Sequence, residues 1–153
     1  MNFNIETATP THLQAIVDFN QKMAIETENK VLEDAVILAG VEAVLVDPTK
    51  GFYLLAIENN SVLGQLMITK EWSDWRNRHI WWIQSVYVHP DFRKKGVYKN
   101  LYKHTVTLAQ REGVKEIRLY VEKENKLAQD VYENLGMNES YYKMYEAKLY
   151  FTD

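Results

Sequence analysis

The sequence contains no cysteine among its 153 residues. Without thiols the chain can form no disulfide, offers no thiolate ligand to a metal ion and has no cysteine nucleophile. Enzyme classes that depend on any of these three features are therefore excluded.

Long apolar runs are missing as well. No stretch approaches the roughly 18 to 20 apolar residues that a membrane-spanning helix requires. The start, MNFNIETATP, lacks the basic and apolar regions of a secretory signal. We therefore expect a soluble, intracellular and cytoplasmic protein. A chain of 153 residues with 46% hydrophobic content can bury one sizeable core, which predicts a single domain over residues 1–153.

Positive charge is scarce overall but concentrated in one segment. The formal net charge of −3 disfavours nucleic acid as a partner, because such binding needs a basic surface that neutralises phosphates. Arg93, Lys94, Lys95, Lys99 and Lys103 nevertheless fall within eleven positions. This clustering favours a small anionic ligand over a polymer.

Two further signatures are absent from the chain. The glycine-rich patterns Gly-x-x-x-x-Gly-Lys-Ser/Thr and Gly-x-Gly-x-x-Gly do not occur, which disfavours generic nucleotide binding. The histidines show none of the short spacings of a zinc site, so no metal is expected; they are His12, His79, His89 and His104.

Hydrophobic periodicity and turn residues predict an α/β domain around a mixed sheet, with no repeat and no linker. Asn59-Asn60 tolerates positive φ and predicts a hairpin, while Asp47-Pro48 predicts the end of a helix. The predicted order is a strand at 3–7, a helix from Thr9-Pro10, a polar segment at 23–30, a helix at 31–46, strands at 52–58, 61–71 and 79–88, a helix at 96–112, a strand at 115–122, a helix at 125–135 and one or two strands within 137–150.

A possible phosphate-binding turn follows the strand that ends at Val88. A basic loop leads to a helix that begins near Gly96, and a helix N-terminus presents unpaired N–H groups and the positive end of its dipole. The glycine allows close approach of the backbone to a ligand. The same residues would also suit a solvated basic loop with a glycine turn, and the residues alone leave both interpretations open.

Segment 84–96, Gln-Ser-Val-Tyr-Val-His-Pro-Asp-Phe-Arg-Lys-Lys-Gly, resembles the signature of the GNAT acyltransferase superfamily. That signature is a central strand, a proline-containing connection and then Arg/Gln-x-x-Gly-x-Gly/Ala at the start of a helix. Arg93 and Gly96 match the first two fixed positions. Tyr98 stands where the family has glycine or alanine, which predicts either a crowded loop mouth or a ring turned outward.

A second, separate motif strengthens the resemblance. Asn125, Ala128, Tyr132 and Gly136-Met137 are similar to the family's Asn-x-x-Ala-x-x-x-Tyr-x-x-x-Gly-Phe. The order of elements resembles the family over nearly the whole chain. The resemblance implies a GNAT-like fold, with a mixed and mostly antiparallel sheet flanked by helices. It also implies an N-acetyltransferase that takes acetyl-CoA as its acyl donor.

The resemblance implies direct attack of a neutral amine on the thioester within a ternary complex. Tyr132 matches the family's general acid for the leaving thiolate, although an isolated tyrosine on a short helix would also suit the core. The pantetheine arm is expected to pair with the strand at 86–88, beside a gap between 84–88 and 117–121, with the Val86 N–H donating to the carbonyl oxygen. The cofactor-binding residues expected from this resemblance are Val86, Tyr87, Val88, Arg93, Lys94, Lys95, Gly96, Val97, Tyr98, Asn125 and Ala128.

The base that deprotonates the amine is not identified by any motif. Glu26 and Glu28 lie on the polar segment between the first two helices, which in this fold borders the acceptor site, so they are the candidates. Solvated loop charges are the alternative interpretation for both residues.

All four tryptophans lie within eleven residues. Trp72, Asp74 and Trp75 are predicted to lie on a connection and, with the two glutamates, to form a pocket for a cation. This predicts a small cationic amine as acceptor. A protein lysine or N-terminus is the alternative acceptor, and a non-catalytic acyl-CoA sensor is the alternative function. The tyrosine-rich C-terminal segment is a candidate surface for a homodimer.

Overall fold

The centre of the fold is a five-stranded sheet in the order β1-β2-β3-β4-β5. The computed structural model describes residues 1–150, which divide into two compact units, Met1–Tyr120 and a second unit from Val121 onward. The elements are β1 (Asn4–Thr7), a 3-10 turn (Pro10–His12), α1 (Leu13–Glu28), α2 (Asp34–Val46), β2 (Phe52–Glu58), β3 (Ser61–Ser73), β4 (Arg78–Val88), a 3-10 turn (Pro90–Phe92), α3 (Val97–Arg111), β5 (Ile117–Leu119) and α4 (Lys126–Asn134). No helix among the described residues is long and apolar enough to cross a lipid bilayer.

The strand pairing is antiparallel from β1 to β4, and β4 pairs with β5 in parallel. Asn59 and Asn60 both have positive φ, at 49° and 64°, and connect β2 to β3 in a tight turn. The predicted hairpin and the mixed, mostly antiparallel sheet are confirmed.

Both faces of the sheet are covered in the first unit, because β2 alternates its buried side chains between two hydrophobic clusters. Tyr53 and Leu55 pack with Ile16 of α1 and Val41 of α2. Leu54 belongs to the cluster on the other face, which includes Trp81 of β4 and Leu101 of α3. The sheet therefore separates an α1–α2 side from an α3 side.

Helix α1 is longer than its apolar pattern predicts. It continues through the polar residues to Glu28, where Asn29 in the left-handed conformation donates its N–H to the carbonyl oxygens of Ala24 and Ile25. The Thr27 hydroxyl also donates to Met23 O at 2.8 Å. Local hydrogen bonds extend the helix beyond its apolar stripe, so Glu26 and Glu28 lie on its last turn and not on a loop.

Two other expectations are wrong. The connection predicted at 72–79 is only the turn 74–77, because β3 and β4 pair as far as Ser73 and Arg78. Asp74 and Trp75 lie on this turn, where Asn77 has positive φ, whereas Trp72 lies on β3. No strand is present at 137–150. Alternating tyrosines indicate a side-chain pattern, but a strand also needs a neighbour for its backbone groups.

Candidate functional site

Strand β4 carries a bulge at Ser85. Gln65 of β3 lies opposite Tyr87, whereas Met67 lies opposite Gln84, so β4 has an extra residue in between. Ser85 has a φ of 51°, in the left-handed region that non-glycine residues seldom occupy. Bulges of this kind redirect the backbone and are frequent next to active sites.

Within residues 1–120, the edge of β4 that faces away from β3 has no strand partner beyond Ile83, and we refer to this stretch as the open edge of β4. The β4–β5 ladder ends at the pair Ile83–Leu119, so the expected gap lies beyond Leu119 and does not include residues 117–119. The His89 N–H donates to Leu63 O on β3 at 2.8 Å. Since backbone groups alternate sides along a strand, the N–H groups of Val88 and Val86 point away from β3 and towards the open edge.

The basic loop ends at the N-terminus of α3. Gly96, the N-cap, has a φ of 82° and no side chain that could occupy the first N–H groups of the helix. Lys94 also has positive φ, at 62°. Val97 begins the helix and packs so closely on β3 that a Cβ at Gly64 would lie 2.8 Å from its Cγ1. The loop therefore presents open N–H donors and basic side chains suited to a pyrophosphate.

Tyr98 is partly buried and packs against the α3-side core, with its ring 6.3 Å from that of Tyr102. The ring is not turned outward into solvent. The side chain at this position therefore packs with the core on the α3 side.

Glu26 joins α1 to β4 and the basic loop. Its Oε1 accepts a hydrogen bond from the Tyr87 hydroxyl at 2.9 Å, and its Oε2 accepts one from Arg93 Nη2 at 2.8 Å. Arg93 Nε donates to Val88 O at 2.8 Å. Burial acts to raise the pKa of Glu26, but the hydrogen bonds from Arg93 and Tyr87 and the positive charge of Arg93 lower it overall. The carboxylate is thus ionised and paired with a residue of the basic loop.

A buried polar group lies behind the bulge on the α1 side. Gln65 is fully buried and its Nε2 donates to Ser85 O at 3.0 Å. The Tyr53 hydroxyl accepts a hydrogen bond from Asn20 Nδ2 at 3.4 Å, and burial raises the pKa of this phenol. Sequence reasoning missed these residues. The detectable signals were a glutamine within the apolar run 62–68 and an asparagine within the apolar stripe of α1.

Trp72 and Trp75 lie at the far end of the β3–β4 hairpin. Trp72 pairs with His79 and is 57% exposed, whereas Trp75 is 90% exposed. Asp74 accepts a hydrogen bond from the Trp75 N–H at 2.9 Å. At about 3.3 Å per residue, the length of β4 between this end and Tyr87 is about 30 Å. The tryptophans and Asp74 therefore do not form one pocket with Glu26 and Glu28 within the first unit.

The other two tryptophans separate as adjacent strand residues should. Trp81 is buried in the α3-side core, and Trp82 lies on the opposite face with the Arg118 guanidinium 5.9 Å from its ring centroid. Glu116 accepts hydrogen bonds from Arg76 at 2.8 Å and Arg118 at 2.9 Å. Burial raises the pKa of Glu116, but the two arginines outweigh it and lower that pKa overall.

The second unit holds the remaining predicted residues. The helix expected at 125–135 is present as α4, and the Asn125 side chain caps it by accepting the Ala128 N–H at 3.1 Å. Tyr132 is half-buried on α4, and burial raises the pKa of its hydroxyl. The phenol therefore stays protonated over the ordinary pH range, as a proton donor requires.

The structure brings together Glu26, Tyr87 and Arg93, and Val86 and Val88 direct backbone groups to the same open edge. Glu28 is exposed at the end of α1. Among residues 1–150, no group of three His, Asp or Glu side chains is arranged to hold a metal ion.

Comparisons with known proteins agree with this geometry. A possible acetyltransferase from Clostridium difficile 630 has a TM-score of 0.93 and 41% identity, covering 99% of this chain and 100% of that one. A predicted acetyltransferase from Clostridium acetobutylicum, solved with acetyl-CoA, shares the fold at a TM-score of 0.79 and 18% identity, covering 95% and 96% of the two chains.

A curated relative matches part of the chain. Thialysine N-epsilon-acetyltransferase from Bos taurus is 32% identical over 75 residues, or 49% of this chain, and the match spans 44% of that protein's length. The model of the acetyltransferase (GNAT) family matches residues 13–137, most of the chain. This chain therefore belongs to the GNAT acetyltransferase family.

Proposed function

We propose that the protein transfers an acetyl group from acetyl-CoA to a primary amine of a small cationic molecule. The observation that carries this proposal is the open edge of β4 beyond Ile83, which leads directly to the basic loop and the N-terminus of α3. An extended thioester arm and a pyrophosphate require these two features side by side.

The donor would bind along the open edge in the manner of an added strand. The N–H groups of Val86 and Val88 would pair with the pantetheine amides and the acyl carbonyl. The pyrophosphate would take the N–H groups at residues 96–98, with the side chains of Arg93, Lys94 and Lys95 neutralising its charge.

The chemistry would proceed in a single complex of donor and acceptor. The amine nitrogen attacks the thioester carbon, negative charge forms on the carbonyl oxygen and the Val86 N–H stabilises it. The carbon–sulfur bond then breaks, and the thiolate takes a proton from Tyr132. Glu26, once released from Arg93, takes the proton that the ammonium group must lose before attack, directly or through water, and the second proton that the nitrogen loses as the amide forms passes to solvent. Glu28 is the second candidate for this role.

The acceptor class is supported by charge and by a relative. Glu26 places a carboxylate beside the end of β4, where an ammonium group would be attracted before it loses its proton. The curated relative is named for the side-chain amine of thialysine, a small amino acid with a cationic group. A small cationic amine satisfies both observations.

Thiol release from acetyl-CoA would test the proposal. We expect turnover with small amines such as thialysine, polyamines or amino sugars, and none with peptides that carry a free N-terminus or a lysine. Turnover with peptides alone would show a protein acceptor. Acetyl-CoA binding without turnover on either panel would show a sensor, and either result would overturn the proposal.

The cytoplasmic location and the homodimer stay predictions, and light scattering at several concentrations would test the latter.

A further inference from the structure

Gln65 is a polar side chain at a position where the strand pattern calls for an apolar one. It is fully buried in the middle of β3, between Gly64 and Leu66, and lies opposite Tyr87 of β4. Its Oε1 has no hydrogen-bond partner among the described residues, whereas its Nε2 donates to Ser85 O at 3.0 Å. Among the described residues, the Gln65 side-chain amide therefore makes one hydrogen bond, and that bond is to the bulge.

That contact fixes the orientation of one peptide group. The carbonyl of Ser85 and the N–H of Val86 belong to the same planar unit, and in a trans peptide they point in opposite directions. Holding the carbonyl against β3 therefore directs the Val86 N–H towards the open edge of β4. Ser85 is in the left-handed region, which a serine does not prefer, so the peptide needs an external contact to keep it there.

We infer that Gln65 is a positioning residue for acetyl transfer: its side-chain amide holds the Ser85–Val86 peptide so that the Val86 N–H meets the acetyl carbonyl oxygen. The inference rests on the proposed donor site. It adds a residue from the neighbouring strand that touches neither substrate.

Gln65→Met tests the inference, because methionine keeps the unbranched shape and removes the donor. Loss of a complete oxyanion donor typically lowers kcat about 100- to 1,000-fold, so a misdirected one should cost about tenfold or more. We expect KM for acetyl-CoA to change less than about threefold. The melting temperature should stay within about 3 °C, since the substitution also removes an unpaired buried oxygen.

Two companion variants separate positioning from packing. Met67→Leu changes a neighbouring side chain on the same face of β3 at nearly constant volume, and kcat should stay at the wild-type value. Adding Ser85→Gly to Gln65→Met should restore part of kcat, because glycine adopts positive φ without cost.

A spectroscopic measurement reports the hydrogen bond directly. With ¹³C-labelled acetyl-CoA bound, the carbonyl stretch should lie at lower frequency in the wild type than in Gln65→Met. The inference is overturned if kcat and the carbonyl stretch match the wild type, or if Gln65→Met fails to fold or melts more than about 10 °C lower, which would show a structural role. If the wild-type protein itself does not turn over any amine, the proposed function fails instead.

Discussion

Glu26→Gln is expected to tighten CoA binding, because it removes an internal competitor for Arg93. In the free protein the Glu26 carboxylate holds this arginine at 2.8 Å. The Arg93 guanidinium can neutralise the pyrophosphate of CoA only when the pyrophosphate displaces Glu26 or shares the arginine with it. Glutamine keeps the size of the side chain, but its neutral oxygen is a weaker acceptor.

The size of the effect follows from the exposure of the pair. The Arg93 and Glu26 side chains are 43% and 41% exposed, so solvent screens their attraction. Exposed ion pairs contribute about 0.2 to 1 kcal/mol. Since 1.4 kcal/mol corresponds to tenfold in affinity, the Kd for CoA should fall by at most about fivefold.

Glu28→Gln is the matched control. It removes the same charge two residues later on the last turn of α1, where the carboxylate is exposed, so it reproduces any general effect of charge on an anionic ligand. Calorimetric titration with CoA at pH 7.5, in low and high salt, would measure both variants. An unchanged or weaker affinity of Glu26→Gln, or an equal gain in Glu28→Gln, would refute the reasoning.

Three further predictions concern catalysis, packing and pH. Tyr132→Phe should lower kcat about 100-fold, with CoA affinity within about twofold of the wild type, as expected for loss of a general acid. A kcat equal to that of the wild type, measured by thiol release, would contradict that role. Gly64→Ala should lower the free energy of unfolding by about 1 to 3 kcal/mol. The new methyl group lies 2.8 Å from Cγ1 of Val97, which is buried and has a stiff β-branched side chain. Denaturant unfolding should show the lower stability, and CoA titration should show weaker binding in the same variant. The pKa of Glu116 is lowered from 4.5, so its contribution to stability is present above that pH and is lost as pH falls through the lower native value. Glu116→Gln should therefore melt below the wild type at pH 7, with the gap closing under acid; a gap independent of pH would exclude the ion pairs as its cause.

Local signals in the sequence predicted most of the elements because their causes are local. The asparagine pair Asn59-Asn60 adopts positive φ with little strain, Gly113 ends α3 with a φ of 76° and Asn125 caps α4. The tail at 137–150 has a strand-like pattern without a strand, because pairing depends on a neighbour that the pattern does not specify.

The loop proposed to bind the donor was also readable from the sequence as a structural feature. A basic loop with a glycine at a helix start is a contiguous feature, and its anion-binding property comes from its own backbone and charges. The acceptor side could not be predicted from the sequence in this way. The contact between Glu26 and Arg93 joins residues 67 positions apart, and no periodicity predicts that a carboxylate of α1 will reach the basic loop.

What the sequence determined by itself is an α/β domain around a mixed sheet with a basic, glycine-containing turn before its third long helix, since periodicity, caps and turn residues act over a few positions. The resemblance of two motifs added the GNAT family. Only the tertiary structure decided that β4 bulges at Ser85, that β5 ends at Leu119 and that the tryptophans lie far from Glu26. Each of these depends on strand register and strand length, which are decided by packing across the sheet and not by any one segment.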